Sequence, residues 1–148
     1  MAKTALIVGV SSQDGSYLAE LLLKKGYEVV GTVRHSTNFF QENIQHLYGK
    51  IKIEAADLID QESLSYVVRN NKPDEVYNLG AISHVGYSFK TPQLTADITG
   101  KGVLNILEAI RDGRLKDQKS NFQEFLVKIF LTQTLFWLSK SFYAGDYK

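Results

Sequence analysis

Apolar and polar positions alternate in two rhythms along the first part of the chain. Thr4–Val8 is a short, continuous apolar run that ends at Gly9, a pattern typical of a strand buried on both faces of a parallel sheet. Over residues 16–25 the leucines recur at helical spacing, and Gly26 follows as a residue suited to end a helix. Glu28–Val33 is again apolar and β-branched. The pattern therefore predicts a strand, a helix and a second strand.

The same alternation continues further along the chain. Asp60 is suited to cap a helix, and apolar positions recur at helical spacing from Leu94 to Ile110. The expected elements are a loop at 34–45, a strand at 51–55, a helix at 61–70, a strand at 75–79, a loop at 81–90 and a helix at 93–111.

This order of elements predicts a fold class. Strands that alternate with helices through short loops pair in parallel, and their connections are right-handed, so that helices cover both faces of an open sheet. We therefore expect an α/β fold with a Rossmann-like doubly wound parallel sheet. After Gly113 the periodicity weakens, although residues 125–131 fit a fifth strand.

Composition narrows the functional classes without choosing one. A chain of 148 residues fits one domain, and its 44% hydrophobic and 22% charged content is that of a globular protein. Lys and Arg number 17 against 16 Asp and Glu, so the net charge of +1 does not favour a nucleic-acid partner. Cys is absent and the three His are scattered, so the sequence has no disulfide, thiolate or metal-ligand pattern.

Hydropathy also bears on location. The longest apolar stretches, residues 5–10 and 125–131, fall well short of the roughly 20 residues that span a bilayer. The start of the chain lacks a charged segment followed by an apolar one and a small-residue cleavage site. We therefore expect no membrane association and a cytoplasmic location.

The turn between the first strand and the first helix carries the candidate chemistry. Gly9 and Gly15 lie six positions apart, Ser12 stands where a GxxGxxG turn has its middle glycine, and Gln13 and Asp14 complete the turn. Such a turn brings the backbone close to a pyrophosphate, whose charge is favoured by the N–H groups and dipole at the helix N-terminus. The alternative is a plain strand-to-helix turn that needs glycine only for its backbone angles. We interpret the segment as a dinucleotide site.

The tip of the second strand predicts which dinucleotide is bound. An acidic residue at this tip accepts hydrogen bonds from a ribose 2′-OH, whereas a cation accommodates a 2′-phosphate. Here Arg34 is followed by the hydroxyl of Ser36, which favours NADP over NAD. The alternative is that Arg34 is a solvated surface cation. Asp57, after the third strand, is placed either to accept from an adenine amine or to cap a turn.

Four stretches of the chain carry a family resemblance. They are GVSSQDGSYLAE at 9–20, GYEVVGTVR at 26–34, DEVYNLGAISHVGYSF at 74–89 and TADITGKGVLNILEAIR at 95–111. On these residues the chain resembles the GDP-mannose 4,6-dehydratases of the extended short-chain dehydrogenase/reductase superfamily over residues 4–111. QDGSYLAE and the pair YNLGA with SHV are the specific parts of the match.

The resemblance implies an activity and a set of site residues. It implies conversion of GDP-mannose to GDP-4-keto-6-deoxymannose, towards GDP-fucose and related deoxyhexoses, with tightly held NADP. It also implies a homo-oligomer, because family members reach a neighbouring subunit's cofactor through the loop matching residues 34–44. By position, the implied residues are Gly9, Ser12, Gln13, Asp14 and Gly15 for the phosphates, Arg34 and Ser36 for the 2′-phosphate, Asp57 and Leu58 for adenine, and Leu79, Gly80, Ala81 and Ser83 for the ribose and nicotinamide.

The chain also departs from the family pattern. The family continues with a Ser/Thr and Glu and then a Tyr-x-x-x-Lys pair, in which Lys lowers the pKa of a phenol that abstracts a proton. We find no such pattern after Lys116, where Tyr143 has its Lys one residue late. Tyr48 and Lys52 have the spacing but precede the third strand, which indicates chance. His84 either lies near the substrate or is hydrogen-bonded for structure.

These departures leave the catalytic residues unknown. We expect residues 1–116 to form the NADP-binding Rossmann portion, incomplete relative to the family, and residues 117–148 to be a diverged or truncated tail without a substrate domain. The main interpretation is the front portion of a GDP-mannose 4,6-dehydratase, inactive alone. The alternatives are a stand-alone NADP-binding or regulatory module without catalysis, and another sugar-nucleotide epimerase or dehydratase.

Overall fold

Four parallel strands form the sheet predicted from the sequence. A computed structural model describes residues 2–34, 42–82 and 84–115. Within these ranges the strands are β1 (Thr4–Val8), β2 (Glu28–Val33), β3 (Lys52–Ala55) and β4 (Glu75–Asn78). They pair in the order β3-β2-β1-β4, and every pairing is parallel. Each strand lies within two residues of its predicted limits.

Helices connect the strands and continue after the last one. They are α1 (Gln13–Lys24), a 3₁₀ helix (Glu42–Leu47), α2 (Gln61–Asn71), α3 (Val85–Lys90), α4 (Pro92–Thr95), a π-helical segment (Ala96–Lys101) and α5 (Gly102–Leu115). None of the helices in the described ranges has the length and apolar character of a membrane-spanning segment.

Two apolar clusters lie on opposite faces of the sheet. Alternate side chains of β1 point to the two faces, so that Ile7 packs with α1 and the 3₁₀ helix while Leu6 packs with α2 and α5. On the second face Leu64 of α2 and Ile106 of α5 are both buried. Helices thus cover both faces, and the predicted doubly wound α/β fold is confirmed.

Two segments predicted as loops contain helices. In residues 34–45 we expected no helix, yet the 3₁₀ helix begins at Glu42 and buries Ile44 and Leu47 completely. In residues 81–90 the prediction of a loop is wrong, because α3 forms there. This helix buries none of its residues. It therefore lacks the periodic apolar face by which a helix is recognised in a sequence.

The single helix expected at 93–111 is divided. A π-helical segment separates α4 from α5, and α5 continues to Leu115. The predicted core position Leu94 is 39% exposed, whereas Ile106 and Ile110 are buried as expected. Because a π-helical turn has wider hydrogen-bonded rings than an α-helix, it shifts the rotation of the following residues around the helix axis. A single 3.6-residue period therefore does not describe both halves.

Candidate functional site

A cleft of about 370 Å³ opens where the strands reach their carboxyl ends. Ligands of open α/β sheets bind at this edge. Three of the predicted residues, Gln13, Asp14 and Gly15, lie in the first turn of α1 and do not line the cleft. Ser36 and Ser83 lie outside the described residues. The remaining predicted residues line it: Gly9, Ser12, Arg34, Asp57, Leu58, Leu79, Gly80 and Ala81.

Gly9 makes the sharp turn out of β1. Its φ of +84° lies in the left-handed region, which side-chain-bearing residues rarely adopt. A Cβ atom on Gly9 would lie 3.0 Å from the amide nitrogen of Gly80, at the end of the neighbouring strand. Glycine is therefore required both for the backbone angle and for the close approach of the two strand ends.

Gly15 brings α1 against the turn. A Cβ atom at this position would lie 2.5 Å from the Gly9 carbonyl oxygen and 2.8 Å from Val10 Cα. These are backbone atoms, which cannot move aside without displacing the turn itself. The close packing of helix on turn is the role of the last glycine in a dinucleotide-binding fingerprint.

Ser12 does more than replace a glycine. It is the N-cap of α1: its hydroxyl accepts from the Gly15 amide at 3.0 Å and donates to the Gly9 carbonyl at 2.9 Å. The amides of Gln13 and Asp14 come too early in α1 to have an acceptor within the helix. The helix therefore begins with N–H groups suited to an anion.

The end of β2 carries the residue predicted to select the cofactor. Arg34 is exposed and lines the cleft beside Val33. In the same strand, Thr32 also lines the cleft, and its hydroxyl accepts from the Gly9 amide at 3.4 Å. Arg34 thus lies at the end of the cleft where a ribose phosphate is expected. The assignment of a 2′-phosphate site to Arg34 and Ser36 remains a prediction.

Asp57 satisfies one of its two predicted roles directly. Its Oδ1 accepts from the Ile59 amide at 3.2 Å, and its own amide donates to Ser63 Oγ at 3.1 Å, so it does stabilise the turn into α2. Asp57 also lines the cleft together with Leu58. The turn role does not remove the adenine role, because the carboxylate has a second oxygen.

The β4 side of the cleft is formed by Leu79, Gly80 and Ala81. Asn78, which is 5% exposed, accepts from the Gly80 amide through Oδ1 at 3.1 Å. His84 is exposed, and its Nδ1 accepts from the Tyr87 amide at 3.1 Å as the cap of α3. The structure therefore shows the hydrogen-bonded structural role that the sequence left open for this histidine.

The formal Tyr-x-x-x-Lys pair lies away from the cleft. Lys52 is at the first residue of β3, where its Nζ lies 2.6 Å from Glu54 Oε1 and 2.8 Å from Asn71 Oδ1. The cleft is at the opposite end of that strand. This placement supports chance spacing for Tyr48 and Lys52. Tyr143 lies outside the described residues.

Tyr77 is also unsuited to proton abstraction. Its hydroxyl donates to Glu75 Oε2 at 2.6 Å. Burial, followed by the hydrogen bond to Glu75 and the negative charge of that carboxylate, raises the pKa of Tyr77 well above that of a free tyrosine. The phenol is therefore held protonated, the opposite of what a general base requires.

Several cleft residues were missed in the sequence. Ser11 and Ile98 line the cleft, and Asn43 of the 3₁₀ helix donates through Nδ2 to the Ser11 carbonyl at 3.1 Å. Ser11 lay inside the quoted glycine turn and could have been included. Ile98 and Asn43 reach the site only through the tertiary fold, so no local pattern indicated them.

Most of this chain is similar in sequence to proteins of one enzyme family. Its residues 6–125 match the model of the family described as GDP-mannose 4,6 dehydratase. The GDP-mannose 4,6-dehydratase of Vibrio cholerae is 49% identical over 118 residues, covering 75% of this chain and 32% of that protein. The Homo sapiens GDP-mannose 4,6 dehydratase is 48% identical over 115 residues, 72% and 31% respectively. The chain thus spans about a third of the length of these relatives.

Solved structures show the same fold. UDP-glucose 4-epimerase from Brucella ovis, in complex with NAD, superposes with a TM-score of 0.67 at 27% identity, covering 76% of this chain and 33% of that one. The Thermus thermophilus UDP-glucose 4-epimerase complex with NAD gives 0.66 at 29% identity, covering 75% and 34%. The two relatives found by sequence have a higher identity to this chain than these structures have, and both are named GDP-mannose 4,6-dehydratase. This chain therefore belongs to the GDP-mannose 4,6-dehydratase family.

Proposed function

We propose that this chain binds NADP as the nucleotide-binding part of a GDP-mannose 4,6-dehydratase. The observation that carries the proposal is the Gly9–Gly15 turn, which lines the cleft through Gly9 and Ser12 and starts α1 with amides that have no acceptor within the helix. A side chain at Gly9 would contact the backbone of Gly80 and prevent the close packing of the turn against it. The residues present therefore fit a dinucleotide, as in the NAD complexes of the solved epimerases.

Each part of the cofactor has a proposed set of contacts. The pyrophosphate would lie on the amides of Gln13 and Asp14, and adenine against Asp57 and Leu58. The 2′-phosphate is assigned to Arg34 and Ser36, with Gly9, Ser12 and Gly15 shaping the phosphate turn. The ribose and nicotinamide are assigned to Leu79, Gly80, Ala81 and Ser83. When bound, the nicotinamide supplies a site that accepts a hydride and returns it.

Arg34 is the residue that favours NADP over NAD. Arg34 is exposed and lines the cleft directly after β2. A charge-assisted contact to phosphate is worth about 1.5–3 kcal/mol. We expect Arg34→Leu to weaken NADP binding by about tenfold while NAD affinity changes by less than about twofold. Arg69→Leu, on the exposed face of α2, is the matched control and should change neither. Equal losses for both cofactors in Arg34→Leu would contradict the assignment.

The proposed substrate of the complete protein is GDP-mannose, converted to GDP-4-keto-6-deoxymannose. The net change would be the loss of one water from GDP-mannose. C4 would be oxidised to a ketone and C6 reduced to a methyl group, so a bound nicotinamide would end in the oxidation state in which it began. In the described residues we find no Tyr and Lys at the cleft that would support proton transfer. We therefore expect the 148-residue chain to bind NADP without turnover. Incubation with GDP-mannose and NADP should give no 4-keto sugar, with the Homo sapiens GDP-mannose 4,6 dehydratase as positive control.

The second candidate is a binding module without catalysis in any context. It is favoured by the same observation, a cofactor turn without a base at the cleft among the described residues. The two candidates differ in what completion does. Joining this chain to the part of the Vibrio cholerae relative that lies outside the match should give turnover if the chain is the front of an enzyme, and should not if it is a module.

We also propose self-association through residues 34–44. In the described part of this segment, Asn43 donates through Nδ2 to the carbonyl of Ser11, which lines the cleft. Just after the segment, His46 Nε2 lies 2.7 Å from Glu20 Oε1 of α1. A second copy would contact the cofactor across this segment. Light scattering with and without NADP should show a larger particle when NADP is bound, and an unchanged monomer would contradict the proposal.

A further inference from the structure

The cleft wall formed by Asp57 and Leu58 is held in place from a distant helix. Asn105, in the first turn of α5, donates through Nδ2 to the Leu58 carbonyl at 2.7 Å. Asn105 is 8% exposed and Leu58 7% exposed, so this hydrogen bond is shielded from water. A buried carbonyl left without its donor is costly, because water does not replace the lost partner. The bond therefore fixes the path of this loop.

The Leu58 side chain is enclosed by two glycines. A Cβ atom on Gly80 would lie 2.8 Å from Leu58 Cδ1, and one on Gly102 would lie 3.0 Å from Leu58 Cβ. Gly102 and Asn105 are three positions apart and therefore lie on one face of α5. That face therefore contacts both the side chain and the carbonyl of Leu58. Gln61 of α2 supports Asn105 in turn, since its Nε2 donates to the Asn105 carbonyl at 3.1 Å.

The two α5 residues that hold Leu58 lie outside the cleft. Asn105 and Gly102 do not line it, whereas Asp57 and Leu58 do. We propose that Asn105 is a positioning residue, which sets the affinity for the adenine half of the cofactor by holding the 57–58 wall. This inference rests on the proposed dinucleotide function and adds to it a residue outside the contact set. It predicts an effect confined to one half of the ligand.

The test uses the 148-residue chain and two probes, one for each half of the cofactor. Adenosine 2′,5′-bisphosphate and nicotinamide mononucleotide are titrated separately by NMR into the parent and Asn105→Ala. We expect the variant to bind the adenosine probe about tenfold more weakly, as for a lost buried hydrogen bond. Binding of the nicotinamide probe should stay within about twofold. Hydrogen exchange at amides 57–60 should also be faster in the variant.

Asn71→Ala is the matched control. Asn71 Nδ2 also donates to a backbone carbonyl at 2.7 Å, that of Val67, but it lies at the end of α2 away from the cleft. This control should lose stability without changing either probe's affinity. If Asn105→Ala does not fold, Gly102→Ala takes its place, since the added methyl must displace Leu58. Equal weakening of both probes, or of neither, would overturn the proposal.

The exchange measurement separates this inference from the proposed function. If the folded parent binds neither probe, the dinucleotide function fails on its own. Faster exchange at amides 57–60 in Asn105→Ala would then still support the positioning role. Unchanged exchange in that variant would overturn it, whatever the parent binds.

Discussion

The two walls of the cleft are built in different ways. The turn wall, to which Gly9, Ser11 and Ser12 contribute, is assembled within one short stretch of chain, residues 9–15, in which Ser12 bonds both Gly9 and Gly15. The loop wall, residues 56–58, depends on Asn105, which is 47 positions from its partner Leu58. The geometry of the turn wall is therefore encoded locally, whereas the shape of the opposite wall requires the completed fold. Changes to each wall should have separable consequences.

The largest effect is expected from Gly15→Ala in the turn wall. The added methyl would lie 2.5 Å from the Gly9 carbonyl oxygen, so the helix and the turn must separate. Overpacking of this kind costs about 1–3 kcal/mol. We expect NADP affinity to fall by more than about tenfold, measured by calorimetry. Gly100→Ala is the control, because nothing lies within 4 Å of its added methyl. Parent-like binding by Gly15→Ala would contradict the turn's role.

Two substitutions at Ser12 distinguish its role as the N-cap of α1 from a requirement for a small residue in the turn. Because the hydroxyl caps α1, Ser12→Ala should lower the free energy of unfolding by about 1 kcal/mol. Ser12→Gly should cost only a few tenths of a kcal/mol, since glycine is a tolerated N-cap. Urea unfolding of the three proteins measures both values. A cost of no more than a few tenths of a kcal/mol in both variants, each of which lacks the hydroxyl, would show that the Ser12 cap does not stabilise α1.

A smaller effect is expected from Asn43→Ala, which releases the 3₁₀ helix from the turn wall. The hydrogen bond to Ser11 is exposed to solvent, and such bonds contribute about 0.5–1.5 kcal/mol. We expect NADP affinity to fall about threefold, with exchange at amides 57–60 unchanged. Gln45→Ala, on the exposed side of the same helix, is the control. An effect on the loop wall would show that the walls are coupled.

Tyr77→Phe should leave both walls unaffected. Loss of the hydroxyl that donates to Glu75 should cost about 1 kcal/mol of stability at neutral pH. Because the folded-state pKa of Tyr77 is raised, its contribution is present below the unfolded value of about 10 and is lost as pH rises through the folded-state value. Urea unfolding should therefore show parent and variant converging in strong alkali. A gap that widens with alkaline pH would contradict this.

The features that local patterns control were predictable from the sequence. β1 and β2 have the predicted bounds, and α2 begins after Asp60, whose Oδ1 accepts from the amides of Glu62 and Ser63. The glycine turn was also found, because its chemistry requires particular residues at fixed spacing. The start of α1 was placed three residues late, since Gln13 and Asp14 are polar and show no apolar period.

The features that depend on distant partners were not predictable. α3 has no buried face, and Ile98 reaches the cleft only through the π-helical segment. Asn105 stands in an otherwise apolar helix face, and its partner is a carbonyl in another element. A backbone carbonyl carries no residue-specific signal. In the loop wall, Asp57 was singled out by its position after the third strand, whereas Leu58 was added only by resemblance to a family.

The most direct test of the central claim is calorimetric titration of the 148-residue chain with NADP, alongside its circular dichroism spectrum. If the turn wall presents amides to a pyrophosphate, each folded chain binds one NADP. Gly15→Ala should then bind NADP more than about tenfold more weakly. A chain with the spectrum of an α/β fold that binds neither NADP nor NAD would contradict the claim.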